Sequence, residues 1–270
     1  MADCNHDCAN CTEKCDNPTD LRAPENKNSK IKHIYAIVSG KGGVGKSLVT
    51  SLLAVASNRN MYKTAILDAD ITGPSIPMAF NINDKAYGDG VDIFPNESRD
   101  GIKVMSANML LANDTEPVIM RGPMIADMVK QFYSNVRWED IDNMFIDCPP
   151  GTGDVPLTIF QSLPIDGIII VTSPQELVSM IVAKAANMAN MMNIPILGIV
   201  ENMSYFMCPN CNEKHYIYGE SHIEEIAKEF EIDTVVKLPI NPNLAKLCDQ
   251  GLIENFTGNE LDPIIKKLFR

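Results

Sequence analysis

Residues 34–47 read Ile34-Tyr35-Ala36-Ile37-Val38-Ser39-Gly40-Lys41-Gly42-Gly43-Val44-Gly45-Lys46-Ser47, and this stretch decides the fold. Its apolar run, Ile34–Val38, has the length and β-branched content of a strand buried on both faces. A glycine, four residues and then Gly-Lys-Ser follow, and a helical pattern opens at Ser47. Strand, glycine-rich turn and helix in that order is the context in which such a loop wraps phosphate. From Gly40 through Lys41, Gly42, Gly43, Val44 and Gly45, backbone N–H groups can curl round an anion, and the helix presents its positive end. Lys46 is then expected to reach the β- and γ-phosphates, and the Ser47 hydroxyl to ligate Mg²⁺. Lys41 is a second lysine inside the loop. It is either a solvated surface cation or a neutraliser of phosphate charge, on the nucleotide of a partner subunit.

Outward from the loop, further apolar runs at Ala65–Leu67, Met144–Ile146, Gly167–Val171 and Ile196–Val200 read as buried strands. Helical stretches at Ser47–Ser57, Gln175–Met192 and Ser221–Glu231 separate several of them. The alternation predicts an α/β fold, a mostly parallel twisted sheet with helices on both faces. Asn81–Asp100 is turn-rich and polar and takes no clear element from its pattern. Two strands end in carboxylates. Asp147 closes Met144-Phe145-Ile146-Asp147, where a Walker B aspartate holds Mg²⁺ through water, and Cys148-Pro149-Pro150-Gly151-Thr152-Gly153-Asp154 follows as a loop suited to sensing a γ-phosphate. Asp68 and Asp70 close another, and one of them is placed to position the attacking water unless it merely caps a helix.

The chain has 270 residues, 45% hydrophobic and 21% charged, with a formal charge of −12. Such a charge argues against nucleic-acid binding through the overall field. No apolar run is long enough to span a membrane. The N-terminus, Met1 to Cys8, is polar and acidic, unlike a signal peptide, which predicts a reducing cytoplasmic setting. In that setting the eight cysteines point to metal or redox chemistry rather than disulfides. Cys4, Cys8, Cys11 and Cys15, spaced C-x₃-C-x₂-C-x₃-C, suit one compact centre of iron–sulfur type better than zinc, whose sites use two separated pairs. A polar stretch from Asp16 to Lys30 follows, so residues 1–30 read as a cysteine-rich metal-binding tail and linker, and residues 31–270 as a P-loop ATPase domain. Cys208-Pro209-Asn210-Cys211 is a second pair, half of a four-coordinate site. A symmetric homodimer would complete it, around a [4Fe–4S] cluster or zinc. Cys148 and Cys248 read as small hydrophobes.

Together these residues resemble the Mrp/ApbC family of iron–sulfur carrier ATPases, of the MinD-like class with a deviant Walker A loop. The resemblance spans roughly Ile31 to Gly251 and rests on several motifs: Gly40–Ser47 with Lys41, Asp68–Ser75, Arg121-Gly122-Pro123-Met124, Asp147–Asp154, Thr172–Glu176, Gly198–Met203 and Cys208–Cys211. The tail is similar to that of the branch with a ferredoxin-like extension. After Tyr218-Gly219 the chain departs from the family, with Glu220 and Ser221 where further glycines are common. The resemblance implies that Lys41 reaches across a dimer to the partner's ATP and that Asp70 organises the attacking water. It further implies that Asn202 hydrogen-bonds adenine and that Cys208 and Cys211 bridge a labile [4Fe–4S] cluster between subunits, with apo iron–sulfur proteins as acceptors. The expected activity is an ATP-dependent scaffold or carrier. Its rivals are a MinD-like positioning ATPase, an ATP-driven electron donor like the nitrogenase iron protein, and a zinc-stabilised nucleotide-binding dimer. The positioning reading draws on Leu261–Arg270, a short amphipathic segment with three cations that either packs on its own domain or lies on a membrane surface. Packing is the expected outcome, without stable membrane association.

Overall fold

A computed structural model describes residues 22–70, 75–110, 122–175 and 178–269. Its strands are β1 (Ser29–Ser39), β2 (Thr64–Asp68), β3 (Tyr87–Gly88), β4 (Ile93–Phe94), β5 (Asn96–Glu97), β6 (Lys103–Ser106), β7 (Glu139–Asp147), β8 (Gly167–Thr172), β9 (Ile196–Met207), β10 (Lys214–His215) and β11 (Val235–Pro239). The helices are α1 (Lys46–Arg59), α2 (Ser75–Ala79), α3 (Gly122–Asn135), α4 (Asp154–Ser162), α5 (Val178–Met191), α6 (Ile223–Glu229), α7 (Pro242–Asp249) and α8 (Asp262–Leu268). All five apolar runs singled out in the sequence are strands, because residues buried on both faces need no polar alternation.

The main sheet runs β11-β9-β8-β1-β7-β2-β6, parallel throughout, with β5 antiparallel on the β6 edge and β10 antiparallel on the far end of β9. From β1 the chain crosses past β7 to reach β2, whereas from β7 it crosses past β1 in the opposite direction to reach β8. Right-handed crossovers in opposite directions put their helices on opposite faces, so α1 covers one face and α4 the other. The two crossovers part at the carboxyl ends of β1 and β7, which makes that edge the switch point where α/β sheets bind ligands.

Two-residue strands fill Asn81–Asp100. β3 pairs with β4, and β5 with β6. Polar bonds from distant residues fix this region: Asn26 Nδ2 and Asn28 Nδ2 donate to the two Asp92 carboxylate oxygens at 2.9 and 2.7 Å. The same bonds tie the segment ahead of Ile31 to the body. There the Ala23 amide also donates to the Ser162 carbonyl at 2.8 Å, and the Ser134 hydroxyl to the Pro24 carbonyl at 2.7 Å.

The C-terminal amphipathic segment packs inward. Ile264, Ile265 and Leu268 of α8 are buried, the Tyr35 hydroxyl donates to the Leu268 carbonyl at 3.0 Å, and the Phe269 ring lies 4.1 Å from that of Tyr62. Its apolar face is therefore used by the domain and is not offered to a bilayer. Among the described residues, no helix is long and apolar enough to cross a membrane. Ile264→Ala should cost about 2–5 kcal/mol in urea unfolding, the range for truncating a buried aliphatic side chain. Lys266→Glu on the exposed side should stay within about 0.5 kcal/mol. A loss below ~1 kcal/mol for Ile264→Ala would mean that the helix is not docked.

Candidate functional site

The loop after β1 turns into α1 at Gly45, whose φ of 84° lies in the left-handed region that glycine enters without steric cost. A Cβ at Gly45 would also collide with the Asn202 amide nitrogen. No side chain caps α1 and no acidic residue lies in its first turn, so its leading N–H groups are left for an external anion. Nearby, the Gly151 amide donates to the Ser39 carbonyl at 2.7 Å, which holds the loop after β7 against the start of the phosphate loop.

Strand register then assembles the charges. Asp147 pairs with Ile37 on β1 and with Asp68 on β2, which puts both carboxylates at the sheet edge under the loop. Lys46 is buried there, its Nζ 2.8 Å from Asp147 Oδ1 and 3.4 Å from Asp70 Oδ2. The Ser47 hydroxyl donates to Asp147 Oδ2 at 2.5 Å and the Thr50 hydroxyl to Asp147 Oδ1 at 2.9 Å. Burial pulls the Lys46 pKa down, but Asp147, by charge and hydrogen bond, and then Asp70 outweigh it and hold the ammonium above its ordinary value. Burial likewise leaves the Asp147 carboxyl above the usual carboxylate range, opposed by Lys46 and by the Ser47 and Thr50 hydroxyls, whose donors match the ionised form.

Asp68 is fully buried. Its Oδ1 accepts from the Asp70 amide at 3.1 Å rather than from a helix end, and Oδ2 has no partner among the described residues. Burial, and then the Asp147 charge, push its carboxyl well above the usual range. Cys148 behaves as the small hydrophobe expected, burial pushing its thiol up to about 12. Cys248 is only half-buried.

Two residues expected at the nucleotide are engaged in ways the sequence did not reveal. Asn202, on β9, is buried and its Nδ2 donates to the Val44 carbonyl at 3.0 Å, so it braces the loop. The Lys41 ammonium donates to the Gln175 amide oxygen beyond β8. Sequence reasoning missed Thr50, although Lys46 and Thr50 stand at i and i+4 on one face of α1.

The second pair sits far along β9. The Cys208 amide donates to the Glu213 carbonyl at 3.0 Å and the Asn212 amide to the Cys208 carbonyl at 2.9 Å, closing a tight knuckle. Cys208 is partly exposed and Cys211 exposed. The Cys211 amide, then the Asn210 amide and the Cys211 thiol, lower the Cys208 pKa and favour its thiolate. His215 lies within reach of both sulfurs, a neighbour that the spacing C-x₂-C-x₃-H could have signalled. Cys4, Cys8, Cys11 and Cys15 lie outside the described residues, as do Ile71–Pro74 and Arg121.

Comparison with known proteins adds independent findings. The family model for the NUBPL iron-transfer P-loop NTPase, of the ParA group, matches residues 30–269. The iron-sulfur cluster carrier protein of Methanocaldococcus jannaschii is 43% identical over 281 residues, spanning 99% of this chain and 97% of the relative. The protein of the same name from Clostridium perfringens is 40% identical, spanning 88% and 86%. Among solved structures, a nucleotide-binding protein from Archaeoglobus fulgidus in complex with ADP, in which cobalt was found, matches with a TM-score of 0.78 and 42% identity, over 86% of this chain and 91% of that one. The septum site-determining protein MinD of Pyrococcus horikoshii, with Mg-ADP, matches at a TM-score of 0.59 over 88% and 94%, and at 19% identity this is a likeness of fold.

Asp68 yields a test of the buried charges. Its carboxyl is raised in the folded protein, so the fold retains a proton that the unfolded chain releases. Stability from this group is therefore lost as pH rises from the ordinary carboxylate range through the raised value. Asp68→Asn keeps the oxygen that accepts from Asp70 and removes the charge. The variant should gain on the parent progressively as pH rises out of the ordinary carboxylate range in urea unfolding without nucleotide. A pH-independent difference would show that Asp68 does not change its ionisation on folding.

Proposed function

The chain belongs to the NUBPL iron-transfer P-loop NTPase family, and on that premise we propose that it is an ATP-dependent carrier that holds a [4Fe–4S] cluster between two subunits and delivers it to apo-proteins. One observation carries this reading. An exposed Cys208–Cys211 knuckle extends from the same strand, β9, whose Asn202 braces a fully formed phosphate loop. A nucleotide site and a cysteine pair are thus attached to one strand. The M. jannaschii and C. perfringens relatives bear the name of this activity.

The residues fit MgATP. Ser47 Oγ and Asp147 Oδ2 already face each other at hydrogen-bond distance, the arrangement of a direct metal ligand and a carboxylate that acts through water. Mg²⁺ bound there supplies charge neutralisation between the β- and γ-phosphates. Lys46 is shared by two carboxylates, and a γ-phosphate oxygen offers its ammonium a third anion. Asp70, the longer contact, is the one that yields, and its carboxylate then accepts a hydrogen bond from the attacking water. Lys41 and Gln175 lie at the outer rim of the loop, and Lys41 is assigned to the partner's nucleotide. Asn202 is assigned to adenine as well as to the loop.

The cluster is cargo. A [4Fe–4S] cluster takes four thiolates, and each chain offers two at the knuckle. Among the described residues Cys148 is buried and held as a thiol, so a homodimer completes the set. The tail cysteines Cys4, Cys8, Cys11 and Cys15 are assigned to a second cluster, and apo iron–sulfur proteins in the cytoplasm to the role of acceptors.

Lys46→Ala should lower ATP hydrolysis by about 10²-fold or more, since it removes the charge on the phosphates. Asp70→Ala should keep nucleotide binding by equilibrium titration while turnover is lost. Equal loss of binding in both variants would overturn the role given to Asp70. The double variant Cys208→Ala/Cys211→Ala should still bind ATP and fold, yet fail to transfer a cluster to an apo-acceptor. Iron per chain and transfer are measured side by side, and unchanged transfer would sink the bridging mechanism.

A further inference from the structure

The hairpin that carries Cys208 and Cys211 holds a third donor that a two-thiolate site leaves unused. The ligand atoms of Cys208, Cys211 and His215 all lie within 4.8 Å of one another. We propose that these three side chains form, within a single chain, a mononuclear site for a divalent ion of the zinc class, with a fourth position open. The proposal rests on the two thiolates facing metal, as in the carrier reading, and adds His215 and a different occupant.

Backbone structure sets each donor. The bonds at Cys208 and Asn212 close the knuckle, and Asn212 takes the left-handed conformation, φ 57°, that the turn requires. The chain then returns as β10, which pairs His215 with Phe206 and Lys214 with Met207. His215 is therefore held on the strand opposite the one that leads into Cys208. Zinc binds thiolate at about 2.3 Å and imidazole at about 2.0–2.1 Å, so donors on a tetrahedron stand roughly 3.3–3.8 Å apart. A trio already within 4.8 Å closes on such an ion by side-chain rotation alone. Two thiolates and an imidazole are borderline-soft donors that suit Zn²⁺, Co²⁺ or Fe²⁺ over Mg²⁺ and Ca²⁺. Glu213 Oε2, 3.8 Å from Cys211 Sγ, places a carboxylate beside the site.

Binding forms two metal–sulfur bonds and one metal–nitrogen bond, and each cysteine sulfur that enters as a thiol releases its proton to solvent. Both occupants need Cys208 and Cys211, so the mononuclear ion and the bridging cluster exclude each other. The cluster takes its four ligands as thiolates and leaves His215 free. A zinc-class ion therefore competes with cluster loading and holds a chain in an unloaded form.

The test uses the full chain carrying Cys4→Ser, Cys8→Ser, Cys11→Ser and Cys15→Ser, so that the tail offers no thiolate. It is titrated anaerobically with Co²⁺ while the absorption of four-coordinate cobalt and its thiolate charge-transfer bands are followed. One cobalt per chain, independent of oligomeric mass, is expected. His215→Ala and His215→Gln should each weaken binding by about 100-fold or more, because a direct ligand is worth at least as much as the outer partners of a metal site. Both variants should keep ATP binding, which shows that they fold, and should still assemble a cluster when iron and sulfide are supplied. Zn²⁺ added first should block that assembly in the parent and not in the His215 variants. Half a cobalt per chain, or unchanged affinity and spectrum in both His215 variants, would overturn the three-donor site and leave the bridging pair standing. If Cys208→Ala/Cys211→Ala bound cobalt like its parent, the three-donor site would fall, while the carrier reading is decided separately by cluster transfer in that variant.

Discussion

The structure depends on one buried cation. Lys46 lies beneath the phosphate loop between Asp147 and Asp70, with the equally buried Asp68 beside Asp147 in the sheet. Parallel pairing of β2 with β7 forces those two strand-end carboxylates together, and in a low-dielectric edge two such charges repel strongly. An ammonium placed against Asp147, with the Ser47 and Thr50 hydroxyls on its oxygens, makes the arrangement tolerable. Breaking a buried pair by removing one partner costs about 3–5 kcal/mol, so the charges are mutually dependent. The same balance prepares the site for phosphate, because a cation already shared between anions can exchange one for another without leaving its pocket.

Strand β9 links this charge cluster to the cysteine knuckle. Asn202 grips the Val44 carbonyl, and its neighbour Glu201 is buried and accepts hydrogen bonds from Ser204 and Ser221. Beyond Ser204 the strand runs on to Met207 and so to Cys208. Just past Asn202, Met203 takes φ 57° and the pairing with β11 shifts register between Lys237 and Pro239, so the strand bends before it reaches the knuckle. β8 and β11 flank the strand on either side, which leaves its tip and the knuckle outside the packed core. The phosphate loop and the cysteine donors are thereby attached to one strand, with Cys211 exposed beyond its end.

Much of this was legible in the sequence because it is local. A strand, a glycine turn and a helix in succession give Lys46 and Ser47, and apolar runs ending in Asp give Asp68 and Asp147. What escaped was non-local or short. Thr50 looks like any buried helical threonine until Asp147 arrives from a strand 97 residues away. β10 is two residues long and carries no alternation, so His215 acquires meaning only through pairing with Phe206. Asn81–Asp100 had no readable pattern because Asp92 is fixed by Asn26 and Asn28, side chains from before the first strand. The C-terminal segment was ambiguous for the opposite reason. Its amphipathic pattern is the same whether the apolar face meets a domain or a bilayer, and only the contacts of Tyr35 and Tyr62 decide between them.

The placement of the knuckle also explains why a carrier would use so few ligands per chain. Four thiolates on one rigid loop would hold a cluster against any acceptor, since release would require breaking four bonds within one folded unit. Under the proposed bridging, two per chain would make retention conditional on the second subunit, and cluster affinity and association would be linked by the same coupling free energy. A nucleotide that alters how two chains meet then alters the hold on the cargo, without contacting it. The asymmetry within the pair fits this use. Backbone amides favour the Cys208 thiolate, while Cys211 is the more exposed of the two.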